Sequence, residues 1–145
     1  MAFQYDESLG LEIHAPARTV FEHMIDFESY PEWQTSVAAA RKMKNDIHGP
    51  VIEFEIDLVL KKIRYVLGYK VDHERMHLTW DYLDGDIEHV AGEFFVQEKD
   101  SEVSWAVYRL DVRPGFWLPG PLANFVKNTA MRGVLHDLQR KVGKK

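Results

Sequence analysis

Residues 51–82 read VIEFEIDLVLKKIRYVLGYKVDHERMHLTWDY, and their period decides the fold. Ile52, Phe54, Ile56, Leu58 and Leu60 alternate with Glu53, Glu55, Asp57 and Val59. Ile63, Tyr65, Leu67, Tyr69 and Val71 then alternate with Lys62, Arg64, Val66, Gly68 and Lys70, and Met76, Leu78, Trp80 and Tyr82 with His77, Thr79 and Asp81. An apolar residue at every second position marks a half-buried antiparallel strand, one face inward and one wet. "DHER" inside this stretch, and "NDIHGP", "LDGD" and "EKDSE" around it, read as hairpin turns.

Working outward, the next two runs are less regular. Over 87–97, Val90, Gly92, Phe94 and Val96 share one face, and Ala91 and Phe95 take the other. Over 103–112, Val103, Trp105 and Val107 share a phase, whereas Tyr108, Leu110 and Val112 take the opposite one. That slip predicts a bulge near Val107–Tyr108. After "RPGFWLPGP" the period lengthens. Asn128, Arg132, His136 and Gln139 form a narrow polar stripe. Leu122, Phe125, Val126, Ala130, Met131, Val134, Leu135 and Leu138 fill most of the remaining circumference, which predicts a long helix largely covered by the sheet.

At the other end, "HAPARTVFEHMIDF" reads as a helix with Pro16 in its first turn and Val20, Phe21, Met24 and Ile25 on its apolar face. "DFESYPEWQ" (26–34) follows, a short helix or turn with Ser29 as its cap. Pro31 turns the chain there, with Phe27 and Tyr30 packing the corner and Trp33 either sealing it or facing a cavity mouth. The whole is an α+β order: a strand, two short helices, about six antiparallel strands and a long helix.

A chain of 145 residues with 46% hydrophobic and 28% charged residues fits one globular domain, 1–145. A net charge of -5 argues against a sequence-independent nucleic-acid binder. The absence of cysteine removes disulfides, thiolate catalysis and cysteine-ligated metal, and fits a cytoplasmic protein. The start shows no signal-peptide pattern, and no apolar run approaches the ~20 residues that span a bilayer.

Two acidic or histidine-rich motifs invite a metal and are better read otherwise. "HERMH", His73–His77, satisfies H-E-x-x-H, with Glu93 and Glu98 as conceivable third ligands. Zinc chemistry needs that motif on a helix, where both imidazoles share a face. Between two alternating runs there is room only for a turn and a strand. Asp81, Asp84, Asp86 and Glu88 lack the EF-hand spacing, and Asp84-Gly85 is a turn signal by itself. No metal, cofactor or catalytic residue is therefore expected.

The residues "IHAPARTVFEHMIDFESYPEW", "LDGDIEHVAGEFFVQE" and "GPLANFVKNTAMRGVLHDLQRKV" together resemble the START-like, Bet v 1-like (SRPBCC) superfamily, in its polyketide cyclase/dehydrase and coenzyme Q-binding group. Gly92-Glu93-Phe94 is similar to the family's Gly-x-aromatic strand, with phenylalanine where tryptophan is more usual. The resemblance implies a helix-grip fold: a strongly bent antiparallel sheet of about seven strands wrapped around a long C-terminal helix, enclosing a hydrophobic cavity. Members bind lipids, isoprenoid quinones or polyketides; some are enzymes and others carriers. The resemblance carries over no universal catalytic residue.

The expected ligand is accordingly a hydrophobic small molecule, lipid, isoprenoid or quinone-like. It would lie among Phe54, Ile56, Leu58, Tyr65, Leu67, Tyr69, Leu78, Trp80, Tyr82, Phe94, Trp105 and Phe125, with Trp33, Phe116, Trp117 and Leu118 at the entrance. The alternatives are an aromatase/cyclase-type enzyme, or a partner-binding protein whose cavity is vestigial. Residues 113–121 crowd apolar side chains between prolines and glycines, and either fold under or offer a transient contact to membrane or protein.

Overall fold

The computed structural model describes residues 5–46, 49–58, 61–125, 127–128 and 133–143. The chain runs β1 (Tyr5–Ile13), α1 (Ala17–Met24), a 3-10 turn (Phe27–Ser29), α2 (Tyr30–Trp33), β2 (Val37–Asp46), β3 (Gly49–Asp57), β4 (Lys62–Asp72), β5 (His77–Gly85), β6 (His89–Asp100), β7 (Val103–Arg113), α3 (Gly120–Phe125) and α4 (Val134–Val142). The seven strands form one antiparallel sheet in the order β1-β7-β6-β5-β4-β3-β2. Its two edges, β1 and β2, are joined by the α1–α2 segment. This is the α+β order expected from the alternating runs, in the helix-grip arrangement that the family resemblance implies.

The helices cover one face. α1 packs on β6 and β7, and α4 packs on β1, α1 and α2. Val20, Phe21 and Met24 of α1 and Leu138 of α4 are buried with Ile13, Ile52, Leu78 and Phe94 from the strands. Pro16 stands at the N-cap of α1 with an extended ψ of 142°, and its carbonyl accepts the first helical bond from Val20 N at 3.1 Å. Its missing N–H costs nothing at that position.

Three expectations need correction. β7 holds an unbroken register against β1 from Val112 to Ser104, and against β6 through Phe95↔Val107 and Phe94↔Tyr108, so no bulge lies at Val107–Tyr108. The shift is at Glu98/Asp100, with others in β2 and between β4 and β5. These bulges supply local bending. Second, Ser104 and Ala106 are the inward residues at the start of β7, both at 0% exposure, which turns Trp105 to the outer face. Small side chains there lie directly under the helix layer, and the aromatic takes the other face. Trp105 lies across Gly10 of β1, where a Cβ would come within 2.4 Å of the indole. Third, Ser29 does not cap α2. Its hydroxyl donates to Asp26 O at 2.6 Å and accepts from Trp33 Nε1 at 3.1 Å, pinning the corner instead.

The expected long C-terminal helix is described as two pieces, α3 and α4. Val126, Ala130, Met131 and Arg132 of that stretch, the side chains of Leu122 and Phe125, and Val59 and Leu60 of the β3–β4 connection lie outside the described residues.

Candidate ligand cavity

Between the inner sheet face and the helix layer lies a cavity of about 100 Å3 that opens through a mouth to solvent. Alternation builds its walls. Phe54, Ile56 and Leu58 of the β3 run, then Tyr65, Leu67 and Tyr69 of β4 and Trp80 of β5, arrive on the inner face at every second position. Val90 and the inward phase of β7, Tyr108, Leu110 and Val112, complete the sheet side. Met24, Tyr30, Gln34 and Val134 close it from the helical side.

The aromatic rings interlock. Tyr69 lies 4.3 Å from Phe27 and 5.8 Å from Trp80 between ring centroids, and Trp80 lies 5.5 Å from Tyr108. Tyr30 stacks on Phe54 at 5.8 Å. Such tilted and offset pairs add to burial. Trp80 can lie flat only because its cross-strand partner is Gly92: a Cβ there would fall 2.4 Å from Trp80 Cζ2 and 2.5 Å from Arg109 O.

The mouth is shaped by the segment after β7. Gly115, at a φ of 81°, turns the chain so that Phe116 and Leu118 face the cavity while Trp117 projects outward, 74% exposed. Lys61 from the β3–β4 connection sits 4.1 Å over the Phe116 ring, bringing that connection against the segment. The triplet thus neither wholly folds under nor wholly stays out.

The expected site residues divide accordingly. Phe54, Ile56, Leu58, Tyr65, Leu67, Tyr69 and Trp80 line the cavity, as do Phe116 and Leu118. Leu78 and Phe94 are fully buried but pack outside its lining, and Tyr82 is half-buried away from it. Trp105 is on the opposite face, for the register reason given above. Trp33 packs edge-on to Tyr30 at 5.1 Å and does not reach the lining. The side chain of Phe125 lies outside the described residues.

Sequence reasoning missed Gln34, Tyr30 and Tyr108. The phase of Tyr108, Leu110 and Val112 was legible, but the large Trp105 drew the strand's inward face one residue off. Gln34 had no signal at all, since a polar residue after a short helix reads as surface.

Chemically the described part of the lining is neutral. Among the described residues it contains no Asp, Glu, Lys, Arg or His. Burial raises the phenols of Tyr30, Tyr65 and Tyr69 above the ordinary tyrosine range, so they remain protonated donors near neutral pH. The Tyr30 hydroxyl donates to Met24 O at 2.5 Å. The charged groups described below sit elsewhere. Asp137 of α4, 5% exposed, accepts from Thr35 N at 3.1 Å and from Arg140, fastening α4 to the α2–β2 connection. Glu53, 7% exposed on the outer face, accepts from Arg41 and, at 2.5 Å, from Arg64 Nε. Of the H-E-x-x-H residues, His73 lies in the β4–β5 turn and His77 in β5, where Nε2 is 2.7 Å from Glu93 Oε2.

Residues 13–139 match the sequence model of the family described as polyketide cyclase/dehydrase and lipid transport. The chain belongs to that family. Solved structures agree on the fold. The Zhui aromatase/cyclase from Streptomyces sp. R1128 is 15% identical at a TM-score of 0.78, covering 96% of this chain and 93% of that one. A START superfamily protein from Mycobacterium smegmatis is 17% identical at 0.79, with 94% and 96% covered. Major latex-like protein 151 from Panax ginseng is 12% identical at 0.68, with 96% and 97% covered. No curated protein matches the chain. This polyketide cyclase/dehydrase family member has no described helix long and apolar enough to cross a membrane.

Proposed function

We propose that this protein binds a hydrophobic small molecule, of lipid, isoprenoid or quinone-like character, in the cavity between sheet and helices, and carries it in the cytoplasm without transforming it. The observation that supports this reading is the lining itself: aromatic and aliphatic walls with no carboxylate, imidazole, ammonium or guanidinium group among the described residues. Burial of apolar ligand surface supplies the binding energy, roughly 25 cal/mol per Å2 before association costs. A cavity of about 100 Å3 takes one ring-sized group as it stands. A longer ligand must displace the 114–118 segment or part of the helix layer, and Trp117 is placed to touch the membrane or partner from which it comes.

The second reading is an aromatase/cyclase. It is supported by the family description and by the fold of the Streptomyces enzyme. That chemistry would have to run on tyrosine hydroxyls and shape, since the described lining offers no carboxylate or imidazole for general acid–base work.

Native mass spectrometry of protein purified from its own host tests the binding reading. A co-purifying apolar molecule, displaced by an apolar dye whose affinity falls about tenfold in Trp80→Ala, is the expected result. Unchanged dye affinity in Trp80→Ala with no co-purifying molecule contradicts it. A poly-keto thioester returned cyclised rather than unchanged would favour the enzyme.

A further inference from the structure

The inner face of the sheet carries a second void beyond the cavity. It holds about 390 Å3 and lies between the corner at 25–28 and the start of β3, with Ile52 and Val71 among its walls. Exposed Asp26, Glu28, Lys42 and Asn45 give it a polar rim open to solvent. Among the described residues, none lines both voids.

The change from one void to the other falls within single strands. Along β3, Ile52 borders the second void, and Phe54 and Ile56 border the cavity. Along β4, Val71 borders the second void, and Tyr69 and Leu67 border the cavity. Residues two apart on a strand share a face and are about 7 Å apart, so the voids are neighbours on one continuous surface. Two buried rings stand between them. Phe27 lines the second void and Tyr69 the cavity, with their centroids 4.3 Å apart. Rings that close are in van der Waals contact, and no hydrocarbon chain passes between them. Tyr30 backs the pair, 5.8 Å from Phe27 and tied by its hydroxyl to Met24 O.

We propose that Phe27 and Tyr69 are specificity-determining residues: together they form an internal partition that limits how long a ligand the cavity takes. The cavity ends at this ring pair, so the tail of a longer ligand has to leave past the 114–118 segment. Without the two rings, cavity and second void would form one channel, with an apolar middle and a polar rim at its far end. This deepens the binding reading above and rests on it, adding a length limit to the ligand class.

Three phenyl alcohols of increasing chain length test it: phenylethanol, phenylpentanol and phenyloctanol. Each is titrated into the full chain by NMR, with intermolecular NOEs read at the protein's methyl groups. In the wild-type protein phenyloctanol should bind about as tightly as phenylpentanol, with NOEs to Leu67 and none to Ile25 or Val71. In Phe27→Ala/Tyr69→Val phenyloctanol should gain about tenfold over phenylpentanol, within the roughly fourfold per methylene that full burial gives. Its NOEs should then reach Leu67 and Val71 at one saturation. Wild-type NOEs from phenyloctanol to both Leu67 and Val71 would overturn the inference. So would a double variant with an unchanged affinity ratio or no NOE to Ile25 or Val71. Those results leave the binding reading standing. Failure of all three alcohols to bind, or NOEs confined to Ile25 and Val71 in the wild-type protein, overturns both. The wild-type NOEs decide even if the double variant does not fold.

Discussion

Glu53 shows how a single residue on the outer face is held. Alternation placed it among the wet residues of its strand, and it does point away from the cavity. It is nonetheless covered, because Arg41 from β2 and Arg64 from β4 fold over it from both sides. Hydrogen bonds from Arg41 and then Arg64 hold its carboxyl below the ordinary range. A depressed pKa means that the stabilising contribution is present above the unfolded carboxylate's pKa and is lost as pH falls through the folded value. Urea midpoints measured from pH 7 down to pH 3 should therefore find Glu53→Gln less stable than the wild type at pH 7. The difference should shrink in acid. A gap that stays constant with pH would show that the pair of arginines does not act through the charge.

At the scale of elements, the β5–β6 ladder carries the clearest packing constraint. Trp80 and Gly92 are directly paired, and the indole occupies the space a side chain at Gly92 would need. The Arg109 carbonyl bounds the same space from β7, so the backbone cannot yield as a flexible side chain would. Gly92→Ala should destabilise the domain by about 1–3 kcal/mol, the usual cost of overpacking, with a changed Trp80 environment in fluorescence. An unaltered urea midpoint would contradict this packing. Strands 3 to 6 were legible in the sequence because period-2 patterning depends on local alternation. β7 was legible as a strand, and in the phase of Tyr108, Leu110 and Val112, but not in the phase of its first half. Its inward residues include Ser104 and Ala106, which carry almost no hydrophobic signal, while the outward Trp105 carries a strong one. The corner at 26–34 was legible in outline. What could not be read was that Ser29 bonds back to Asp26 and holds Trp33, since both bonds depend on the tertiary path of the turn.

For the whole molecule, the order β1-β7-β6-β5-β4-β3-β2 explains why a cavity exists. Both ends of the sheet are edges, the helical segment between them spans the gap, and side chains from β3, β4, β5 and β7 meet under the helices without filling the space. Much of that cavity wall was readable from one face of three successive strands. The helical contribution was not, because Gln34 and Tyr30 reach the lining through the geometry of the corner and of α4, which Asp137 ties to Thr35. The central claim is that this interior accepts an apolar ring. Intermolecular NOEs between α-methylstyrene and the methyl groups of the full-length protein test it most directly. The account predicts NOEs to Ile56, Leu67 and Val90, which line the cavity, and none to Leu83, which is exposed on the surface. Saturating ligand with no NOE to those three residues, or with NOEs confined to surface methyls such as Leu83, would contradict it.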